Sequence, residues 1–435
     1  MKISSDITII KFIKDNNDVS SLSSLIDNDV IAICSQKQID DLPASVTKIT
    51  YSEEKGRVHS LNQAMDVVRT PWVLYMDEGE VICNFSFEPQ AGNVYPAQIE
   101  HVHPNERTNY NYEIRLFPLS NGITFKGFDL PDLYDTFLQN EWKLTGNEFI
   151  EIQRAQCGEM YRDMNPDKEI KSNAESSKVR LIKAIRLVTQ QDTKKAIKCF
   201  QQALKREKLF IYDYTAALNG LADALTEQNK WEDARTCVEL SLLEESVQRM
   251  PYLVLYKIAH LNRNWSKAVE NLEKYLYYHG EISRTNYDVY LKKEQCHYLI
   301  AESALRDGNY QAALSHYEQY YHLRGGDVEF DVLKKLLLYS IELDDYDHAV
   351  QHFTDMFDDY IPDLINEKVY HQIHEALSLF IEKGWADFSC KIYEQIYNEN
   401  SKNETILHHW IAALIKAKKV KKAQRILAIS QRQVS

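Results

Sequence analysis

The stretch Asn219–Ser241, NGLADALTEQNKWEDARTCVELS, decides the fold. Two helical patterns in it meet at the turn Asn229-Lys230-Trp231. Ala222 stands before the turn and Ala234 stands twelve residues later, after it. Val238 and Ser241 follow Ala234 at helical spacing, on one face. Small residues on both sides of a turn let two paired helices pack closely. The same pattern recurs along the second half of the chain, as Ala196, Phe200, Ala203; Ala268, Leu272, Tyr275; Ala313, Tyr317, Tyr320; Ala349, Phe353, Met356; Ser389, Tyr393, Ile396; and Ala423, Leu427, Ser430. The leading small residues are separated by 38, 34, 45, 36, 40 and 34 positions. Twelve residues before them stand Ala184, Ala222, Tyr256, Ala301, Leu337, Leu377 and Ile411. A recurrence of this length marks a repeat array, in which a helix pair buries its apolar face only by stacking on its neighbours.

The turns carry matching punctuation, as in Asn262-Arg263-Asn264-Trp265, Asp307-Gly308-Asn309-Tyr310 and Lys383-Gly384-Trp385. Together these features resemble the tetratricopeptide family, whose commonest period is 34 residues. The resemblance implies an all-α superhelix of about seven helix pairs over residues 176–435. It places Asn219, Asp223, Lys257, His260, Tyr298, Glu302 and Lys334 on a concave groove that would take a polypeptide or protein partner. Acidic and basic residues alternate among these positions, so no carboxylate clamp is expected. The run Lys416, Lys418, Lys419, Lys421, Lys422 and Arg425 reads as a solvated terminal cap, with docking to an anionic membrane or acidic partner as the rival reading.

Composition sets the limits. The chain has 435 residues, 51 basic and 64 acidic, for a net charge of −13. Nucleic acid is not an expected partner, because neutralising phosphates needs clustered Lys and Arg. Only 13 Gly and 10 Pro are present, which favours long helices. Seven cysteines without a CxxC or zinc spacing read as reduced thiols in the cytoplasm, with peripheral association at a membrane left open. No apolar window reaches the length of a transmembrane helix.

Residues 1–160 alternate short apolar runs with helical stretches, the pattern of an α/β domain. Strands are expected at Ile7–Ile13, Val30–Cys34, Lys48–Tyr51, Trp72–Met76, Asn93–Val102 and Tyr112–Phe117, and helices at Asp18–Ile26 and Arg57–Val68. Residues 161–175 read as a connector to the repeats.

The segments Val58-His59-Ser60-Leu61-Asn62-Gln63-Ala64 and Trp72-Val73-Leu74-Tyr75-Met76-Asp77-Glu78-Gly79-Glu80 resemble the centre of family 2 glycosyltransferases of the GT-A type. In that family a helix containing Ala-Arg-Asn precedes a strand ending in Asp-Ala-Asp-Glu. Arg115-Leu116-Phe117 and Ile123-Thr124-Phe125-Lys126-Gly127 resemble the segment that precedes its catalytic His-Glu pair. The resemblance implies a domain that binds a nucleotide sugar, with a divalent cation neutralising the diphosphate. Asn62, Asp77, Glu80 and Arg115 would then bind the donor, Asp77 would hold Mg²⁺ or Mn²⁺, and Asp129 would act as base.

Several groups that chemistry needs are missing. Gly79 replaces the second metal-binding Asp, Leu61 replaces the Arg before Asn62, and the expected His beside Asp129 is absent. The expectation is therefore a degenerate glycosyltransferase-like domain on a repeat scaffold. It would hold a polypeptide acceptor or a partner glycosyltransferase without full catalysis, with Mg²⁺ or Mn²⁺ and a nucleotide sugar bound only if activity is retained. The alternative is an active enzyme that moves a sugar to a protein or glycan acceptor through a diverged site.

Overall fold

All seven side chains of Ile7–Ile13 are buried, so this run forms a central strand, β1. A run buried on both faces suits a parallel sheet covered on each side. The computed structural model describes residues 3–14, 16–25, 27–102, 109–120, 123–125, 134–145, 148–155, 176–205, 209–281, 285–357, 367–399 and 403–434. It divides into two units, Met1–Ile258 with Lys274–Tyr290, and Ala259–Glu273 with Leu291–Ser435.

The first unit contains the sheet. β1 lies between β2 (Asp29–Cys34) and β4 (Trp72–Met76), and β3 (Thr47–Thr50) pairs with β2, all in parallel. The order continues from β4 to β7 (Asn109–Pro118), β6 (Asn93–Val102), β9 (Ile150–Ala155) and β5 (Glu80–Asn84). β7 runs antiparallel to both β4 and β6, and β9 runs parallel to β6 but antiparallel to β5. The short β8 (Lys143–Leu144) pairs with β6. Period-two alternation divides the core between the faces. Ile7, Ile9, Val30, Ala32 and Leu74 pack on one. Ile10, Phe12, Ile31, Ile33, Val73 and Tyr75 pack on the other, under Val58, Leu61, Ala64 and Met65 of the helix Arg57–Val67. The helix expected at Asp18–Ile26 is a helix at Asn16–Ser21 followed by a 3₁₀ turn at Leu22–Leu25. We number the helices Asn16–Ser21, Arg57–Val67 and Tyr134–Gln139 as α1 to α3.

Strands β5 and β9 have no counterpart in the sequence reading. Glu80 and Arg154 are both buried there, at 0% and 4% exposure, so charged residues break the apolar alternation that marks a strand.

Helix pairs follow. They are α4 (Ser177–Thr189) with α5 (Thr193–Leu204), α6 (Ile211–Glu227) with α7 (Trp231–Glu244), α8 (Met250–Leu261) with α9 (Trp265–Tyr277), α10 (Lys293–Arg306) with α11 (Tyr310–Leu323), α12 (Phe330–Glu342) with α13 (Tyr346–Phe357), α14 (Glu367–Glu382) with α15 (Ala386–Glu399), and α16 (Glu404–Lys416) with α17 (Val420–Val434). Every leading small residue is buried. Ser389 shows how close the paired helices come, since its hydroxyl donates to the Leu377 carbonyl at 2.9 Å. Between pairs, a Cβ on Gly220 of α6 would sit 2.4 Å from Phe200 of α5.

One turn closes every pair. Gln191, Asn229, Arg263, Gly308, Asp344, Gly384 and Lys418 all have φ between 57° and 91°, each five residues before a leading small residue. The next N–H bonds to the carbonyl five residues back, as in Lys230 to Leu225 at 3.0 Å and Asn309 to Ala304 at 2.9 Å. This is the Schellman closure of a helix C-terminus. Asp or Asn side chains then cap the second helix at Asp192, Asn264, Asn309 and Asp345.

Left-handed backbone costs an ordinary residue about 1–2 kcal/mol, part of which glycine returns as chain entropy. Arg263→Gly is therefore expected to raise stability by about 0.5–1 kcal/mol, and Gly308→Ala to lower it by about 1 kcal/mol. Urea midpoints followed by helical circular dichroism read both. Shifts of the same sign would contradict the turn assignment.

Candidate functional site

The parallel strands place their C-terminal ends together, with β2, which follows β1, on one side of β1 and β4 on the other. That end of the strands is where open α/β sheets gather their polar groups. Asp77 ends β4, and a turn through Gly79 (φ 70°) leads to Glu80 at the start of β5. The turn is tied down twice. The Asp77 N–H donates to Glu80 Oε2 at 2.7 Å, and the Gly79 N–H donates to Asp18 Oδ1 at 2.7 Å.

Around this turn lies a buried ionic cluster. Arg115 of β7, fully buried, reaches Glu80 at 3.0 Å, Glu113 at 3.1 Å and Asp77 at 3.4 Å. It also stacks over Tyr75, 4.5 Å from the ring centre. Arg154 of β9 reaches Asp77 at 3.1 Å and Glu80 at 3.8 Å. Arg57, at the start of α2, lies 4.2 Å over the Phe12 ring and pairs with Asp77, whose carboxylate also accepts the Tyr75 hydroxyl. Glu113 is 3.8 Å from Lys178 of α4. Lys11 of β1 donates to the Glu80 carbonyl at 2.5 Å.

Charge placement sets the titration. Burial pushes the Asp77 carboxyl up, but Arg57, Arg115, Arg154 and Tyr75 outweigh it and hold the group well below the usual carboxylate range. Glu113 is likewise held low against burial, by Lys178 and Arg115. Glu80 goes the other way: burial and the nearby Asp77 charge raise it despite Arg115 and Arg154. Burial lowers Lys11 more than Asp18 and Glu80 raise it.

Asp77, Glu80 and Arg115, drawn from the sequence as a donor-binding set, thus meet at one point. Asn62 does not join them. Its amide donates to the Phe125 carbonyl at 3.0 Å and accepts the Phe125 N–H at 2.9 Å, so it holds the chain at 123–125. Asp129 lies outside the described residues. Arg57, Arg154, Glu113, Asp18 and Lys11 complete the cluster and were not selected from the sequence.

A divalent cation fits poorly here. Asp77 offers its lone pairs to three guanidinium groups and a phenol, and a cation would have to displace them. Among the described residues, no three His, Cys, Asp or Glu side chains are grouped to hold a metal ion. Cys34 is buried in β2, and burial pushes its thiol up.

The residues drawn from the repeats divide between the units. In the first, Asn219 is fully buried and donates at 2.8 Å to Oε1 of Gln248, in the connection between α7 and α8, so it does not line an open groove. Asp223 is 5% exposed; it accepts Lys257 Nζ at 2.5 Å and the Tyr287 hydroxyl at 3.2 Å. In the second unit, the His260 ring stands edge-on to Trp265, and burial and Arg306 lower its pKa. Tyr298 packs on Tyr317 and Tyr320. Glu302 accepts Lys335 Nζ at 2.5 Å and the Tyr317 hydroxyl. Lys334 lies 3.9 Å from Glu375. In the basic cap, Lys419 pairs with Asp387 at 2.5 Å and Lys422 with Glu394 at 2.8 Å.

The sequence profile of the tetratricopeptide repeat matches residues 183–245, which span most of α4 through α7. The chain contains a tetratricopeptide repeat region. Similar solved structures include MamA from Desulfovibrio magneticus RS-1, at 15% identity over 42% of this chain and 93% of that one, with a TM-score of 0.32. YrrB, described as a TPR protein with an unusual peptide-binding site, is 14% identical over 46% and 94%, with a TM-score of 0.34. The Cut9–Hcn1 hetero-tetramer of the APC/C is 13% identical over 57% and 45%, with a TM-score of 0.31. At these scores the likeness says nothing of what this chain binds. No curated protein matches the sequence. No helix among the described residues is long and apolar enough to cross a membrane.

The buried cluster makes two outcomes measurable. Removing one member of a buried ion network costs about 3–5 kcal/mol, so Arg115→Met is expected to lower stability by that order. Asp77 titrates lower in the folded chain than in the unfolded one. Its stabilisation is complete above the unfolded carboxylate pKa and is lost as pH falls below about 4. Asp77→Asn should flatten the acid limb of a stability-against-pH curve, and an unchanged limb would contradict the pairing.

Proposed function

We propose that this protein is a degenerate glycosyltransferase-like domain carried on a tetratricopeptide scaffold, and that it works by binding a polypeptide. That polypeptide is a sugar acceptor or a partner glycosyltransferase in the cytoplasm. One observation carries the reading. The carboxylate that would take the metal, Asp77, is neutralised by Arg57, Arg115 and Arg154 of the chain itself. Mg²⁺ and Mn²⁺ at nucleotide sites need oxygen ligands with free lone pairs. Here guanidinium groups stand in place of the cation, and Gly79 brings a backbone N–H, already bonded to Asp18, where a second carboxylate would be.

The strand arrangement supports the GT-A-like part of the reading. Four parallel strands in the order β3-β2-β1-β4 meet an antiparallel β7, and Asp77 sits at the end of β4. The rival reading, an active transferase, draws on the convergence of Asp77, Glu80 and Arg115. It would require the arginines to release Asp77 when a donor and metal arrive.

Thermal unfolding with UDP, UDP-sugars and other nucleotide sugars, with and without Mg²⁺ or Mn²⁺, separates the two. A ligand at 100 times its Kd adds about 2.7 kcal/mol to stability, which a melting curve resolves. No shift is expected at millimolar ligand. A metal-dependent shift, followed by sugar transfer to any acceptor, would establish the rival.

A further inference from the structure

From residue 405 to residue 435 the chain holds seven basic residues and no acidic one, although its net charge is −13. Six of the seven lie within residues 416–425, over the end of α16, the turn at Lys418 and the start of α17. Two of these cations are neutralised inside the repeats, Lys419 by Asp387 and Lys422 by Glu394. Lys422 also lies 5.6 Å over the Trp410 ring. The other four, Lys416, Lys418, Lys421 and Arg425, are exposed and make no ion pair among the described residues.

Large aliphatic side chains stand in the open between them. Ile415 is 54% exposed and Ile429 58%, with Val420 and Leu427 at 47% and 41%. Ile415 and Val420 flank the turn, beside Lys416, Lys418 and Lys421. Along α17, Lys421, Arg425 and Ile429 fall at i, i+4 and i+8 in one stripe, and Val420, Gln424 and Leu427 run down the next. Ala423 and Ile426 take the side that packs on the core. The outer surface of this helix pair is therefore basic and aliphatic together. A pair that met only water would carry polar residues there.

The cations select an anionic partner, and the aliphatic side chains select among anionic partners. Nucleic acid offers phosphates but no apolar layer at the same surface. An extended acidic polypeptide is held by open backbone groups or by a groove. At this turn the N–H groups are taken, with those of Ala417, Lys418 and Lys419 bonded to the carbonyls of Ala413, Ile415 and Leu414. A bilayer surface supplies both features: headgroup phosphates for Lys and Arg, and the acyl boundary just beneath for Ile, Val and Leu.

We propose that the α16–α17 hairpin docks the protein on an anionic lipid surface, with its turn and the outer face of α17 entering the headgroup layer. This goes beyond the binding of a polypeptide and does not depend on it. Each Lys or Arg near such a surface strengthens partitioning about fivefold, so four contribute roughly several hundredfold, and salt screens the effect.

The test is co-sedimentation of the full chain with phosphatidylcholine vesicles, alone or with about 30% phosphatidylserine. Binding is expected only with phosphatidylserine, and at least about tenfold weaker in about 0.5 M salt than in about 0.1 M. Lys416→Gln, Lys418→Gln, Lys421→Gln and Arg425→Gln together should weaken it at least about a hundredfold. Ile415→Ser with Ile429→Ser keeps every charge and should weaken it at least about tenfold. Equal binding to phosphatidylcholine, no binding to either vesicle, or a serine variant that binds as the wild type does would overturn the proposal. That last result, joined to binding of soluble polyglutamate, would give the surface to an acidic polypeptide. If a variant loses its helical circular dichroism, hydrogen exchange of the wild type decides instead. Slower exchange at 415–429 on phosphatidylserine vesicles supports docking, and unchanged exchange overturns it.

Discussion

A guanidinium group fully removed from water must be surrounded by negative charge, and Arg115 imposes that constraint on the sheet domain. Removing it from solvent costs several kcal/mol unless well-placed carboxylates answer it. Glu80, Glu113 and Asp77 do so from three strands, and Arg154 and Arg57 balance the excess that results. Because the partners come from β4, β5, β7, β9 and α2, the cluster fixes how those elements meet. It also gives Glu80 of β5 and Arg154 of β9 buried partners where the sheet would otherwise demand apolar side chains. The same network extends through Glu113 to Lys178, so the first repeat helix answers to the charge balance of the sheet.

In the helical region the governing constraint is steric. Each pair needs a tight reversal followed five residues later by a side chain small enough to sit against the partner helix. The small residues were legible because selection for size leaves few choices: Ala at six positions and Ser at one. The reversals were less so. Only two of the seven left-handed positions are glycine; the others are Gln191, Asn229, Arg263, Asp344 and Lys418. Pattern recurrence, rather than any turn residue, carried the reading.

The site was legible in part. Asp77, Glu80 and Arg115 were picked out and do converge. Arg57 and Arg154 were not, because an arginine in a sequence gives no sign of whether it faces water or a carboxylate. Asn62, expected to bind the donor, holds the backbone at Phe125. Asn219 was read as lining a groove and is buried against Gln248. The two positions share a feature: a polar side chain on an otherwise apolar helix signals a demand for a partner but not whether the partner is ligand or protein. The long interval between the third and fourth repeats was visible, but spacing alone does not tell where extra residues go.

Asn286 bears on solubility. β4 pairs with β7 at residues 116–118, and among the described residues no strand pairs with the β4-facing side of β7 at Tyr112. At Tyr112 the side-chain amide of Asn286 occupies both the donor and the acceptor of that edge, as a neighbouring strand would. Unpaired strand edges invite other chains to add on, and proteins that leave them bare tend to aggregate. One amide, shorter than any strand, therefore ends the pairing along that side of β7. Its placement on a segment from within the repeats means that this edge is closed only after the helices have folded, so a half-made chain would carry it uncovered.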